Sequence, residues 1–202
     1  MKKYYFFIII VLFCFNSEAQ IFKGGVKAGL VATQVNGDQL SGFKKLGLTG
    51  GFTLALPLSE KSELSTELIF VQKGSRQNPT ENNPSKFLMR LNYIEMPWIY
   101  SFKLKKQKIG FEGGLSFGIL LKTEDVEYDL YGKIPTRLEF QKYEFAALAG
   151  ICYYINDKNK INFRYSQSLL PIRKLPNAPT SFYFFDRGQT NVVAALTYEY
   201  EF

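Results

Sequence analysis

No histidine occurs anywhere in the 202 residues. Its absence excludes Ser-His-Asp hydrolases, Cys-His proteases and metal sites built on imidazole in one step. Cysteine is almost as scarce. Cys14 lies in an apolar leader, which leaves Cys152 alone and rules out an intrachain disulfide in the mature chain. Cys152 itself reads as a small apolar residue, not a reactive thiol. No apolar run beyond residue 15 approaches the roughly 20 residues that a spanning helix needs. Clusters of basic residues interleaved with stacking aromatics are also missing. The diffuse net charge of +7 therefore does not argue for a nucleic-acid partner.

What is present begins with a leader. Lys2 and Lys3 precede the apolar run Tyr4 to Phe15, and small residues stand at Ser17 and Ala19. A basic start, an apolar stretch too short to span as a helix and a Ser-x-Ala site before Gln20 predict a cleaved secretory signal over residues 1–19. A lipoprotein reading of Cys14 fails because Phe13, not a small residue, precedes it. Removing residues 1–19 takes away Lys2, Lys3 and Glu18, so the net charge falls from +7 to +6. Residues 20–202 are of a length that suits one domain.

The mature chain alternates almost throughout. In the stretch from Ile109 to Lys122, Ile109, Phe111, Leu115, Phe117, Ile119 and Leu121 share one face. Glu112, Ser116 and Lys122 share the other, with Leu120 the exception. Tyr143 to Ile155, Ile161 to Ser166 and Asn191 to Phe202 repeat the scheme. So do Glu63 to Lys73 and Ile94 to Lys103, whereas Ile21–Ala32 and Leu46–Pro57 are glycine-rich and read less cleanly. A period of two is the period of a strand, which predicts eight strands.

The connections decide among all-β folds. Short polar turns fall at Leu58–Ser62, Leu104–Lys108 and Asn156–Lys160. Long connections fall at Thr33–Lys45, Gly74–Lys86, Thr123–Glu139 and Pro171–Arg187. An even number of antiparallel strands, with short turns at one end and long loops at the other, predicts an all-β, eight-stranded, up-and-down transmembrane barrel of the outer membrane. Its strands are long enough for the roughly 9–11 residues of a tilted crossing. A soluble sandwich would use shorter strands and would not segregate its long loops. A soluble lipocalin-like barrel is the structural rival, and recovery from washed membranes separates the two.

The terminal YEYEF fits the same frame. Tyr198, Tyr200 and Phe202 are placed toward lipid and its interface, with Glu199 and Glu201 toward the lumen or the periplasmic rim. An alternating strand that stops on Phe resembles the C-terminal signal read by the outer-membrane assembly machinery.

The segment Asn92 to Leu104, NYIEMPWIYSFKL, resembles the Tyr-Leu-Glu-Ile-Pro segment of the PorT-like outer-membrane barrels of Bacteroidetes. Gly110 to Leu121, the opening GVKAGLVAT, VQKGS at Val71–Ser75 and the aromatic final strand are similar in the same order. The Glu-x-Pro segment is the distinctive part. The resemblance implies an eight-stranded barrel, no catalytic residues and, for PorT itself, a role in type IX secretion. Pro97 removes one ladder hydrogen bond, so a bulge or weakened pairing is expected there.

Eight strands enclose a lumen that side chains fill. The charged residues placed inward are Lys27, Glu63, Glu67, Lys73, Glu95, Glu112, Glu144 and Arg164. Enclosed charges should pair, which predicts a salt-bridged core. The sharper alternative is a cation path, since Glu67, Glu95, Glu112 and Glu144 outnumber the nearby bases. Among the loops, Gln77 to Lys86 is a polar tip. Lys122 to Lys133 gathers Glu124, Asp125, Glu127 and Asp129 but lacks the spacing of a calcium loop. Leu170 to Gly188 carries Phe182, Tyr183, Phe184 and Phe185, expected at the start of the last strand or in the aromatic girdle. No cofactor is called for. The expected partners are outer-membrane lipid, the barrel assembly machinery and secretion-system proteins. The function expected is a non-enzymatic barrel acting as scaffold or secretion accessory. A small-solute porin or ligand-binding barrel is the alternative, and an outer-membrane enzyme is disfavoured by the missing His base.

Overall fold

Each alternating run forms one strand of a single antiparallel sheet that closes on itself. The computed structural model describes residues 22–38, 40, 42–79, 86–104, 107–129, 132–135, 139–174 and 188–202. The wall strands are β1 (Lys23–Asn36), β2 (Lys45–Pro57), β3 (Ser62–Gln77), β4 (Lys86–Lys103) and β5 (Ile109–Asp129). After the short β6 (Gly132–Pro135), which pairs with the tip of β5, come β7 (Tyr143–Tyr154) and β8 (Asn159–Ser168). The two-residue β9 (Arg173–Lys174) precedes the last wall strand, β10 (Gly188–Glu201). Each wall strand pairs with its neighbour in sequence order. The pairing of β1 with β10, from Gly25↔Glu201 to Asn36↔Thr190, closes a ring of eight. Closure pairs each wall strand with a neighbour on both sides through the belt, the condition for a sheet in lipid.

The turns at the short end carry their own chemistry. The Ser59 hydroxyl accepts from the backbone N–H groups of Lys61 (3.2 Å) and Ser62 (3.1 Å). The Asn156 side chain accepts from Lys158 N–H at 3.0 Å, an Asx turn.

Side-chain alternation gives the wall two faces. Phe52, Leu68, Trp98, Phe111, Leu115, Phe163, Leu196 and Tyr198 point out and are exposed. Phe52 is 67% exposed and Phe202 72% exposed, a wetting that only an apolar surrounding makes tolerable. The inward face is buried and rich in charge.

Three expectations change. The strands reach further at the long-loop end than alternation suggested: β1 runs to Asn36, β3 to Gln77, β4 begins at Lys86 and β5 runs to Asp129. Much of Thr33–Lys45, Gly74–Lys86 and Thr123–Glu139 is thus wall, because the β3–β4 and β4–β5 ladders continue above the belt. Second, the bulge is not at Pro97. Pro97 pairs in register with Ser116, while the register shift lies between Asn92 and Tyr93, opposite Lys122 and Leu120, and leaves Leu121 as the extra residue. The weakening at Pro97 is on its other side. The β3–β4 ladder holds its register but skips the rungs between Thr66↔Trp98 and Ile69↔Glu95. Third, the bulge moves Lys122 to the exposed side, while Leu120 packs inward. Residues 1–21, including the expected signal, and the aromatic run Phe182–Phe185 lie outside the described residues.

Candidate functional site

The lumen is layered along the barrel axis, and strand register sets each layer. Nearest the short turns, the Lys160 ammonium meets Glu63 (3.1 Å), Glu199 (3.0 Å) and Glu201 (3.4 Å). Glu201 also reaches Lys23 at 3.5 Å. One step deeper, Arg164 on β8 grips two carboxylates, Glu67 from β3 across the ring and Glu112 from β5 two strands away. Its Nη1 and Nη2 donate to the two oxygens of Glu67, both at 3.0 Å. Its Nε and Nη2 donate to Glu112 at 2.7 and 3.2 Å. Such bidentate pairs are the strong form of a charge-assisted hydrogen bond. Lys27 joins Glu67 and, at 2.9 Å, Glu199. Asn162 donates to Glu112 at 3.4 Å. The buried Cys152 thiol donates to the same carboxylate at 3.2 Å. Gly150 makes room here, since a Cβ on it would stand 2.7 Å from Glu112 Oε1.

Above this cluster lies an apolar collar of Val31, Ile69, Val71 and Val193. A cavity of about 30 Å³ beside it, bordered by Lys27, Lys73, Glu95 and Arg164, has room for one or two waters. The next layer is again charged. Lys73 bridges Glu95 and Glu144, the latter at 2.9 Å, and its ammonium lies 5.1 Å from the Tyr93 ring centroid. Ser168 (2.7 Å) and Asn191 (3.0 Å) donate to Glu144. The loop end is then capped by Val35, Met89, Leu91, Tyr93 and Ile172, with Phe87, Leu120 and Phe140 packed against them.

The eight charges singled out in the sequence thus divide into two groups. Lys27, Glu63, Glu67, Glu112 and Arg164 lie below the collar, and Lys73, Glu95 and Glu144 above it. Sequence reasoning passed over Lys160, Asn162, Ser168 and Asn191 as members. Lys160 was legible, because counting back from Arg164 by twos places it on the inward face, but it stands at the end of a polar turn. Tyr198, Tyr200 and Phe202 point outward, and Tyr200 and Phe202 meet edge to face with ring centroids 6.0 Å apart. Of the acidic run after Lys122, Glu124 pairs with Arg90 across the β4–β5 ladder at 3.1 Å.

The arrangement brings many carboxylates together with cations, and the Ser168 hydroxyl and Cys152 thiol among them donate to carboxylates already paired with Lys73 and Arg164. Its chemistry is mutual neutralisation across a narrow space.

Two solved structures share the architecture. The attachment invasion locus protein Ail of Yersinia pestis is 15% identical, with 89% of this chain and 98% of Ail covered, at a TM-score of 0.51. Neisserial surface protein A is 9% identical, with 89% and 97% covered, at a TM-score of 0.52. At these identities the likeness concerns the fold. No curated protein sequence matches the chain. The family model for the outer membrane protein beta-barrel domain matches residues 18–173, most of the chain. With a closed eight-stranded wall, an apolar outer belt and that match, the chain belongs to the outer membrane protein beta-barrel domain family and resides in the bacterial outer membrane.

Proposed function

We propose that this protein is a non-enzymatic, non-conducting barrel that works through its rims and loops, as a scaffold or accessory in protein secretion of the PorT kind. The observation that carries the reading is the filled lumen. Two ion-pair layers, an apolar collar and an apolar cap lie in series along the axis. A solute crossing it would have to break paired charges whose separation is costly. The four carboxylates that suggested a cation path are all tied to Lys27, Lys73 or Arg164. A sequence without histidine lacks the usual general base of barrel enzymes. The secretion role rests on the resemblance of the Glu95-x-Pro97 segment and the strands around it to the PorT-like barrels. In the same reading residues 1–19 are removed on export, and Tyr198, Tyr200 and Phe202 are read by the assembly machinery during insertion.

Deletion of the gene in its own host, with comparison of secreted and periplasmic proteins, tests the role. Cargo retained in the periplasm and released again by the intact gene is the expected result. An unchanged secretome sinks the secretion reading. Stepwise conductance of the purified barrel in a planar bilayer would instead favour the small-solute pore.

A further inference from the structure

A basic cleft opens on the outer wall at the long-loop end, where β2, β3 and β4 meet. Its volume is about 420 Å³, and Lys44, Lys45, Arg76 and Arg90 line it. Above Thr49 the β2–β3 ladder stops, although β2 continues to pair with β1 up to Lys45. That interrupted seam is where the cleft lies. Arg76 and Arg90 stand on adjacent strands, opposite Leu88 and Gly74 respectively, and both are exposed on the outer face.

The cleft holds more cation than its neighbours neutralise. Arg90 has Glu124 at 3.1 Å, and among the described residues Arg76 has the neutral side chain of Asn78 at 2.8 Å. Lys45 is 5% exposed, and its ammonium donates to the Gln72 carbonyl at 3.4 Å. Among the described residues no carboxylate pairs with Lys44, Lys45 or Arg76. A buried ammonium without a counter-ion is costly, and an anion in the cleft would relieve that cost.

The position names the anion. On the outer face of β2, following Lys44 toward the belt, Leu46 at the cleft and Leu48 beyond it are exposed by 74% and 58%. Positive groups above bare leucines, on a wall that lipid covers, match a phosphate headgroup above acyl chains. The short turns mark the periplasmic side, so the long-loop end faces the outer leaflet. We infer that this cleft binds the phosphate of an outer-leaflet glycolipid of the lipid A type, with Lys44, Arg76 and Arg90 at its mouth and Lys45 at its floor.

The test uses the mature protein in phosphatidylethanolamine nanodiscs carrying bisphosphorylated lipid A or its dephosphorylated form. Native mass spectrometry reads the lipid retained. The variant Lys44→Gln/Arg76→Gln/Arg90→Gln is compared with Lys61→Gln/Lys108→Gln/Lys158→Gln, which removes as many cations at the short-turn end. All three sites of the first variant are exposed, and the heat-dependent gel shift of folded barrels confirms folding in each case. Wild type and the short-turn variant should retain the phosphorylated lipid on the order of tenfold better than the dephosphorylated one, and the cleft variant should lose that preference. Equal retention by the cleft variant overturns the assignment. So does full displacement of the lipid by millimolar inorganic phosphate, which would mark a free-anion site.

Discussion

The belt and the loop-end extension of this barrel are built from the same strands by opposite rules. In the belt, apolar side chains such as Phe52, Leu115 and Phe163 point outward, and Lys27, Glu67, Glu112 and Arg164 point inward. Above it, Met89, Leu91, Tyr93 and Val35 point inward to an apolar core, while Arg76 and Arg90 point out. The inversion occurs within β3 and β4 with little interruption of the ladder. It shows that strand pairing is indifferent to which face is apolar, and that the medium outside each height of the wall decides. In lipid the interior must carry the polar groups, and in water it must carry the apolar ones.

The comparison breaks most severely at Arg164. Replacement by Met leaves Glu67 and Glu112 buried with much of their compensation gone, at a cost of about 3–5 kcal/mol. Urea unfolding in lipid vesicles should show that loss, or the variant should fail to give the folded gel band. The cap obeys the other rule. Leu91→Ala removes fully buried apolar contact and should cost about 2–5 kcal/mol. Hydrogen exchange should rise first in Lys86–Tyr93 while the belt stays protected. One substitution sharpens the contrast directly. Leu115→Arg, on the lipid face, is expected to cost about 2–4 kcal/mol, whereas Leu88→Arg, on the outer face of the extension, should change stability by about 1 kcal/mol or less. Equal costs would mean that lipid covers both heights. The smallest effect belongs to the surface pair. Glu124→Ala should cost about 0–1 kcal/mol, because both partners are nearly half exposed.

This contrast also explains what the sequence shows and what it hides. Belt strands announce themselves because apolar-out alternation between short polar turns repeats many times, and Arg164, Glu112 and Glu67 are placed inward by parity alone. The extension hides because GSRQ after Lys73 and the mixed run Lys86 to Tyr93 follow the inverted rule and look like loop. Leu120, the exception to alternation, is the trace of that inversion: it belongs to the cap. The bulge at Leu121 is marked only by that same break, whereas Pro97 declares itself but costs only rungs on one side. Which carboxylate each base takes is set by the closed ring, a relation between strands far apart in the chain.

That last relation has a mechanical side. Arg164 and Glu67 are 97 positions apart in the chain and stand on strands that are not neighbours in the sheet. Their bond, with those of Lys27 and Lys73, spans the lumen like spokes across a rim. A ring braced from within resists ovalisation and cannot part along one seam while the rest stays shut. The wall therefore moves as one piece.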